Sequence, residues 1–200
     1  MDDKLGSRIV GGNSAYGRAE SDFYPTPPEA TVALMEFLRI PKGKLIWEPA
    51  CGEGDMVEAI GQIGYNCIGT DIRSGKDFLT TDKIPCDWII TNPPFSLAEQ
   101  FIKRCVEHNV NFALLLKSQY WHSKKRYPLF FSFPPKFILP LTWRPDFLFK
   151  KRGSGSPLMD VMWCVWYPSE VPIVHTRYVP LTKPEVSKYG LHSPADQRND

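Results

Sequence analysis

Four short apolar runs divide the first 117 residues: KLIWEP from Lys44, NCIGTDI from Asn66, DWIITNPP from Asp87 and NFALLLK from Asn111. Polar alternation is mostly missing from them, which is the pattern of strands covered on both faces. The spaces between the runs change period. DMVEAIGQIG follows the first run. LAEQFIKRCVEHN follows the third, and its Phe101, Ile102, Cys105 and Val106 make the apolar stripe of a helix. Upstream, DFYPTPPEATVALMEFLRI places Thr26 before Pro27 and Glu29. That pattern predicts a helix start with a capping hydroxyl, a proline in the first turn and a glutamate reaching back. Ala30, Leu34, Phe37 and Leu38 then share a face. Strands alternating with helices predict an α/β fold, a doubly wound and mostly parallel sheet with right-handed crossovers.

Beyond Lys117 the pattern changes. SQYWHSKKRYPLFFSFPP is aromatic and basic, with room for one short helix. KFILPLTWRPDFLF and LMDVMWCVWYP are joined by KKRGSGSP, with no long helix between them. This predicts an antiparallel hairpin at the C-terminal edge of the sheet. We therefore expect a disordered Gly/Ser-rich lead over residues 1–20, a single domain over 21–168, and a Pro-rich surface tail over 169–200. No repeat is found, and no apolar run approaches the ~20 residues of a membrane helix.

Charge and cysteines refine this picture. The net charge is +2 but uneven. Between residues 117 and 160, nine Lys/Arg face only Asp146 and Asp160, a local +7 that leaves −5 for the remainder. An acidic body with a basic segment suits an anionic polymer partner. The five cysteines form no C-x-x-C pair and sit among apolar neighbours, as expected of reduced thiols in a cytoplasmic protein. No metal cluster is visible, and the four scattered histidines read as structural or surface residues.

The chemistry lies at the strand ends. Glu48 ends the first strand, and Gly52 and Gly54 follow it into a helix. They form either a ligand-binding loop at the crevice of a doubly wound sheet or an ordinary tight turn. Asp71 ends the second strand, placed to accept hydrogen bonds from ribose hydroxyls or to cap a helix. Asp77 could accept from an exocyclic amine of adenine while Phe78 packs on its ring. No Lys-Ser/Thr follows the glycines, which excludes a triphosphate P-loop. Asn92-Pro93-Pro94-Phe95 ends the third main strand, either as a rigid turn or as a preorganised clamp. In the clamp, the Asn92 side-chain carbonyl and the Pro93 backbone carbonyl hold one planar amino group, and Phe95 stacks on its ring.

In this order DFYPTP, EPACGEG, TDI, KDF and NPPF resemble the class I S-adenosylmethionine-dependent DNA adenine-N6 methyltransferases, over roughly residues 22–117. The resemblance implies their Rossmann-like fold, S-adenosyl-L-methionine as cofactor without a metal, and a cofactor-first, catalytic-tetrapeptide-second order. It implies that Phe23, Tyr24, Pro25 and Thr26 hold the methionine part of the cofactor. Pro49, Ala50, Cys51, Gly52 and Gly54, with Glu48, form the loop around it, and Asp71 and Ile72 contact its ribose and adenine. Asp77 and Phe78 form the adenine pocket, and Asn92 through Phe95 form the amine clamp.

Little of the chain remains for a separate target-recognition domain, so compact phage and prophage enzymes are the closer likeness. Recognition then falls to loops, with DNA as partner. Lys124, Lys125, Arg126, Lys150, Lys151 and Arg152 are expected on phosphates. Tyr120 and Trp121 would stack on bases, with core packing the alternative for Trp121. Arg144 would read a guanine edge or form a structural salt bridge. The target adenine must be flipped out or already unpaired. An RNA adenine methyltransferase, a non-catalytic nucleic-acid-binding partner and a protein-glutamine methyltransferase are the competing readings.

Overall fold

The computed structural model describes residues 24–82, 84–147, 157, 159–170 and 175–193. Strand β4 (Asn111–Lys117) shows how the sheet is covered. Its side chains alternate between two cores: Phe112, Leu114 and Leu116 join one apolar cluster, Ala113 and Leu115 the other. All five are fully buried, so the run carries no polar alternation.

The other strands are β1 (Leu45–Glu48), β2 (Asn66–Gly69), β3 (Trp88–Thr91), β5 (Phe137–Pro140), β6 (Val161–Trp166) and β7 (Arg177–Tyr178). They form one sheet in the order β2-β1-β3-β4-β6-β5-β7. β2, β1, β3 and β4 run parallel, and β6 runs antiparallel to both β4 and β5. This is the Rossmann-like class I methyltransferase fold with a mostly parallel sheet. The expected hairpin is present, but its second strand lies inside the sheet. The outermost position belongs to β7, which comes from the Pro-rich tail and pairs parallel with β5.

Helices α1 (Pro28–Leu38) and α2 (Asp55–Gln62) cover one face. Their Leu34, Met35, Met56 and Ile60 pack with Ile46, Ile90 and Trp163. The Trp163 indole also donates to the Ala30 carbonyl at 2.9 Å, tying α1 to β6. Helix α3 (Ala98–His108) covers the other face, where Phe101, Ile102 and Cys105 meet Trp47, Ile89 and Phe112. A short α4 (Tyr127–Ser132) adds Leu129 to that side.

Two local expectations need correction. β2 is not covered on both faces. It is the sheet's outer strand, and Ile68 is 37% exposed, because the segment between β2 and β3 forms turns instead of another strand. Thr26 does not cap α1. Pro27 occupies the N-cap with no side-chain cap bond, and the Thr26 hydroxyl accepts a hydrogen bond from Asn92 instead.

The topology places a crevice. β1 pairs with β2 on one side and β3 on the other. The chain leaves β1 into α2 on one face and leaves β3 into α3 on the opposite face. That divergence opens a cleft at the carboxyl ends of β1 and β3.

Candidate active site

A cleft of about 830 Å³ lies there, measured with open solvent at its mouth. Tyr24, Pro25 and Thr26 line it ahead of α1. Glu48, Pro49, Ala50 and Cys51 line it after β1, and Asp71 and Ile72 after β2. Asp77 and Phe78 come from the turn segment, and Asn92 and Pro94 from the end of β3. One concave surface thus gathers thirteen expected residues from five separate stretches. Phe23 lies outside the described residues. Gly52, Gly54, Pro93 and Phe95 are not part of the wall.

The glycine turn has a defined reason for its composition. Gly52 has φ 58° and Gly54 φ 94°, backbone that an L side chain adopts only with strain. Gly54 is the N-cap of α2. The Gly52 N–H donates to Asp71 Oδ2 at 2.8 Å, and Cys51 N–H donates to the Thr70 carbonyl at 2.9 Å. Gly69 was not anticipated. A Cβ there would lie 2.9 Å from Val57 Cγ2 and 3.1 Å from Cys51 Sγ, so β2 can approach the loop only without a side chain.

Asp71 has more work than a ribose acceptor. Beyond Gly52, its Oδ1 accepts from the Arg73 N–H at 2.9 Å and from Arg73 Nε at 3.0 Å. Burial alone raises the carboxyl. The hydrogen bonds from Arg73 and Gly52 outweigh burial and hold it below the usual carboxylate range. It therefore sits in the cleft ionised and braced. Asp77 Oδ1 similarly accepts the Leu79 N–H at 2.9 Å, which closes its own turn. Phe78 packs its ring 4.8 Å from Phe101 and 5.3 Å from Trp47 and also lines the cleft.

Glu48 is almost completely buried and accepts the Ala50 N–H at 3.0 Å. Burial pushes its carboxyl up to about 8, against the Ala50 N–H that pulls it down. At neutral pH it stays protonated. Asp71 supplies the charge in this corner and Glu48 does not.

The Asn92 side chain is the most informative group. Its amide nitrogen donates to the Tyr24 carbonyl at 3.2 Å and to the Thr26 hydroxyl at 3.1 Å. A backbone carbonyl only accepts, so the amide must face it with NH2 and turn its oxygen the other way. That oxygen is buried with no hydrogen-bond partner among the described residues. An orphaned buried acceptor costs about 1–3 kcal/mol, and it marks a place where a donor belongs. After it, Pro94 O accepts from Leu97 N–H at 2.9 Å and opens a turn of 3₁₀ helix over Phe95–Leu97. The Phe95 ring lies 5.8 Å from Tyr24, with the Lys117 ammonium 4.4 Å from its centroid.

The basic aromatic segment is less open than its sequence implies. Trp121 stacks on Phe130 at 4.0 Å, and its indole N–H points at Met162 Sδ at 3.0 Å. One face of its ring is thereby taken by packing, and the residue stays partly exposed. Tyr120 is buried, and the Arg126 guanidinium covers its ring at 4.2 Å. It presents no face for stacking. Arg144 forms an exposed ion pair with Asp160 through its Nε at 2.8 Å. Lys124 and Lys125 are exposed. Lys150, Lys151 and Arg152 lie outside the described residues.

Sequence reasoning missed Asp55, Met56, Arg73, Leu97 and Phe101, which complete the cleft wall. Asp55 had a visible signal, standing directly behind the second glycine at the first turn of α2. All five cysteines are free thiols. Among the described residues no His/Cys/Asp/Glu group could hold a metal, and no helix is long and apolar enough to cross a membrane.

No family model matches the chain, and no curated protein matches it. Solved structures do. One is described as the modification subunit of a candidate type I restriction enzyme from Vibrio vulnificus YJ016. It superposes with a TM-score of 0.52 at 15% identity, over 90% of this chain and 51% of its own. A second is described as a candidate RNA methyltransferase from Pyrococcus horikoshii. Its TM-score is 0.52 at 12% identity, over 83% of this chain and 99% of that one. The chain thus spans about half the length of the restriction-modification subunit. These likenesses establish the fold.

Proposed function

We propose that this protein transfers a methyl group from S-adenosyl-L-methionine to the N6 amino group of adenine in DNA. The observation that carries the reading is the Asn92 amide. Its nitrogen is anchored on Tyr24 and Thr26, and its buried carbonyl oxygen is left to accept from a substrate N–H.

The cleft fits the cofactor on its own terms. It lies at the switch point of the sheet, beside a glycine turn, with an ionised Asp71 suited to ribose hydroxyls and Phe78 suited to an adenine. Tyr24, Pro25 and Thr26 stand at the Asn92 end and would hold the methionine part. S-adenosylmethionine supplies a methyl already activated by a positively charged sulfur.

The chain's own residues do the rest by positioning. Asn92 accepts one hydrogen of the amino group and the Pro93 carbonyl the other, which turns the nitrogen lone pair outward. The two prolines keep the corner stiff, so little reorganisation is needed at the moment of transfer. Phe95 offers its ring to the base, and stacking of this kind is worth ~1–3 kcal/mol against the cost of unstacking.

RNA is the second reading, because one superposed protein is described as a candidate RNA methyltransferase and the other as a restriction enzyme's modification subunit, and their likeness does not choose between substrates. Transfer of labelled methyl to DNA and to RNA, each with nuclease controls, separates the two. Label in DNA as N6-methyladenine supports the proposal, and label confined to RNA replaces it.

A further inference from the structure

The Asn92–Phe95 corner divides two cavities. Pro94 lines the cleft just described, and Phe95 lines a second, polar pocket of about 700 Å³ with the open solvent at its mouth included. Its wall includes Lys103 and Glu99 of α3, Tyr120, and Lys125 and Arg126 ahead of α4. Three cations and one carboxylate leave the pocket with a net positive charge. Glu99 is already engaged, accepting from Lys103 Nζ at 2.9 Å. That hydrogen bond, with the charges of Lys103, Lys125 and Arg126, holds its carboxyl below the usual range. Arg126 is fixed in place by donating to the Tyr120 carbonyl at 2.9 Å.

Tyr120 adds an independent sign. The residue is 7% exposed, and its hydroxyl is buried with no hydrogen-bond partner among the described residues. A buried hydroxyl in this state is a donor lacking its acceptor. Surplus positive charge and an unmatched donor together ask for an anion rich in acceptor oxygens. The pocket adjoins the ring that would stack on the target base, where a polynucleotide brings a phosphodiester and a protein glutamine brings no charge.

We infer that this pocket holds the acceptor strand's phosphodiester next to the target nucleotide, with Lys103, Lys125 and Arg126 as its cationic contacts and the Tyr120 hydroxyl as a neutral donor. The inference rests on the nucleic-acid reading above and narrows it. Lys103 and Tyr120 become substrate-positioning residues, and Tyr120 acts through its oxygen and not its ring.

The test is equilibrium binding of a fluorescein-labelled, adenine-containing DNA oligonucleotide to the full chain, followed by anisotropy between 50 and 200 mM salt. The Lys103→Ala/Lys125→Ala double variant should bind about tenfold more weakly, and its log–log salt slope should fall by about 2, near 0.9 per lost contact. Tyr120→Phe keeps the ring and its Arg126 contact, so it should weaken binding a few-fold without changing the slope. Lys44→Ala, whose ammonium pairs with Asp87 at 2.8 Å at the other end of β1, is the control and should behave as wild type. Unchanged affinity and slope in the double variant overturn the inference, as does a wild-type protein that binds no oligonucleotide. The methyl-transfer reading fails separately, by absence of label in DNA treated with the wild-type protein.

Discussion

The cleft at the ends of β1 and β3 and the basic segment after Lys117 look equally functional in sequence, yet the fold treats them differently. In the cleft, side chains hold one another and still leave a group unsatisfied: Asn92 is anchored by its nitrogen, and its oxygen is buried with no hydrogen-bond partner among the described residues. In the basic segment, conspicuous residues already have partners of their own: Trp121 stacks on Phe130, and Arg144 forms an exposed ion pair with Asp160. Residue type alone therefore overstates the second region. What sets Asn92 apart is a buried polar atom whose hydrogen bond is not yet made.

The sharpest way to break this contrast is at Asn92. Asn92→Ala should lower methyl transfer by about 10²- to 10³-fold, the usual cost of losing one aligned hydrogen-bonding group. The same change removes two hydrogen bonds, worth ~1 kcal/mol each, so the fold should persist in a thermal melt. Trp121→Ala should do the reverse. It should cost about 3 kcal/mol in chemical denaturation and leave oligonucleotide affinity unchanged in whatever fraction stays folded. Weakened binding without lost stability would return Trp121 to the nucleic-acid interface.

Glu48 sharpens the cleft side of the comparison through pH. The folded chain keeps the Glu48 proton up to about pH 8, whereas the unfolded chain releases it near 4.5. Between these values the unfolded state binds fewer protons, so this residue's contribution to stability falls as pH rises. Glu48→Gln has no proton to lose. Its stability relative to wild type should improve across that window, by on the order of 1 kcal/mol per pH unit, in denaturation series at pH 5, 6, 7 and 8. A difference independent of pH would mean that Glu48 is ionised in the folded protein. Arg144→Ala is the smallest effect. Its exposed pair is worth ~0–1 kcal/mol, and filter-binding affinity for DNA should stay within about twofold of wild type.

Much of the fold was legible because each apolar run and each change of period corresponds to one element. β1, β3 and β4, α2 and α3 fall where the pattern puts them. The strand order was not written there, since β6 inserting between β4 and β5 depends on long-range pairing. β2 misled for a related reason. Cys67 and Ile68 read as core, but β2 is the outer strand of the sheet and its residues are mostly exposed.

At the site, the motif residues named the cleft wall because the switch point brings strand ends together. The Thr26 hydroxyl could not be assigned from sequence: a cap and an anchor for a residue 66 positions away use the same oxygen. The Phe95 pocket has no sequence signal of its own: Lys103 and Glu99 stand four residues apart on α3, a spacing that any surface ion pair uses.

The most direct test of the central claim is nucleoside mass spectrometry of duplex and single-stranded DNA after incubation with the protein and S-adenosylmethionine, with Asn92→Ala alongside. The account predicts N6-methyladenine with the wild type and almost none with the variant. No methylated adenine in either DNA, or equal amounts from both proteins, would contradict it.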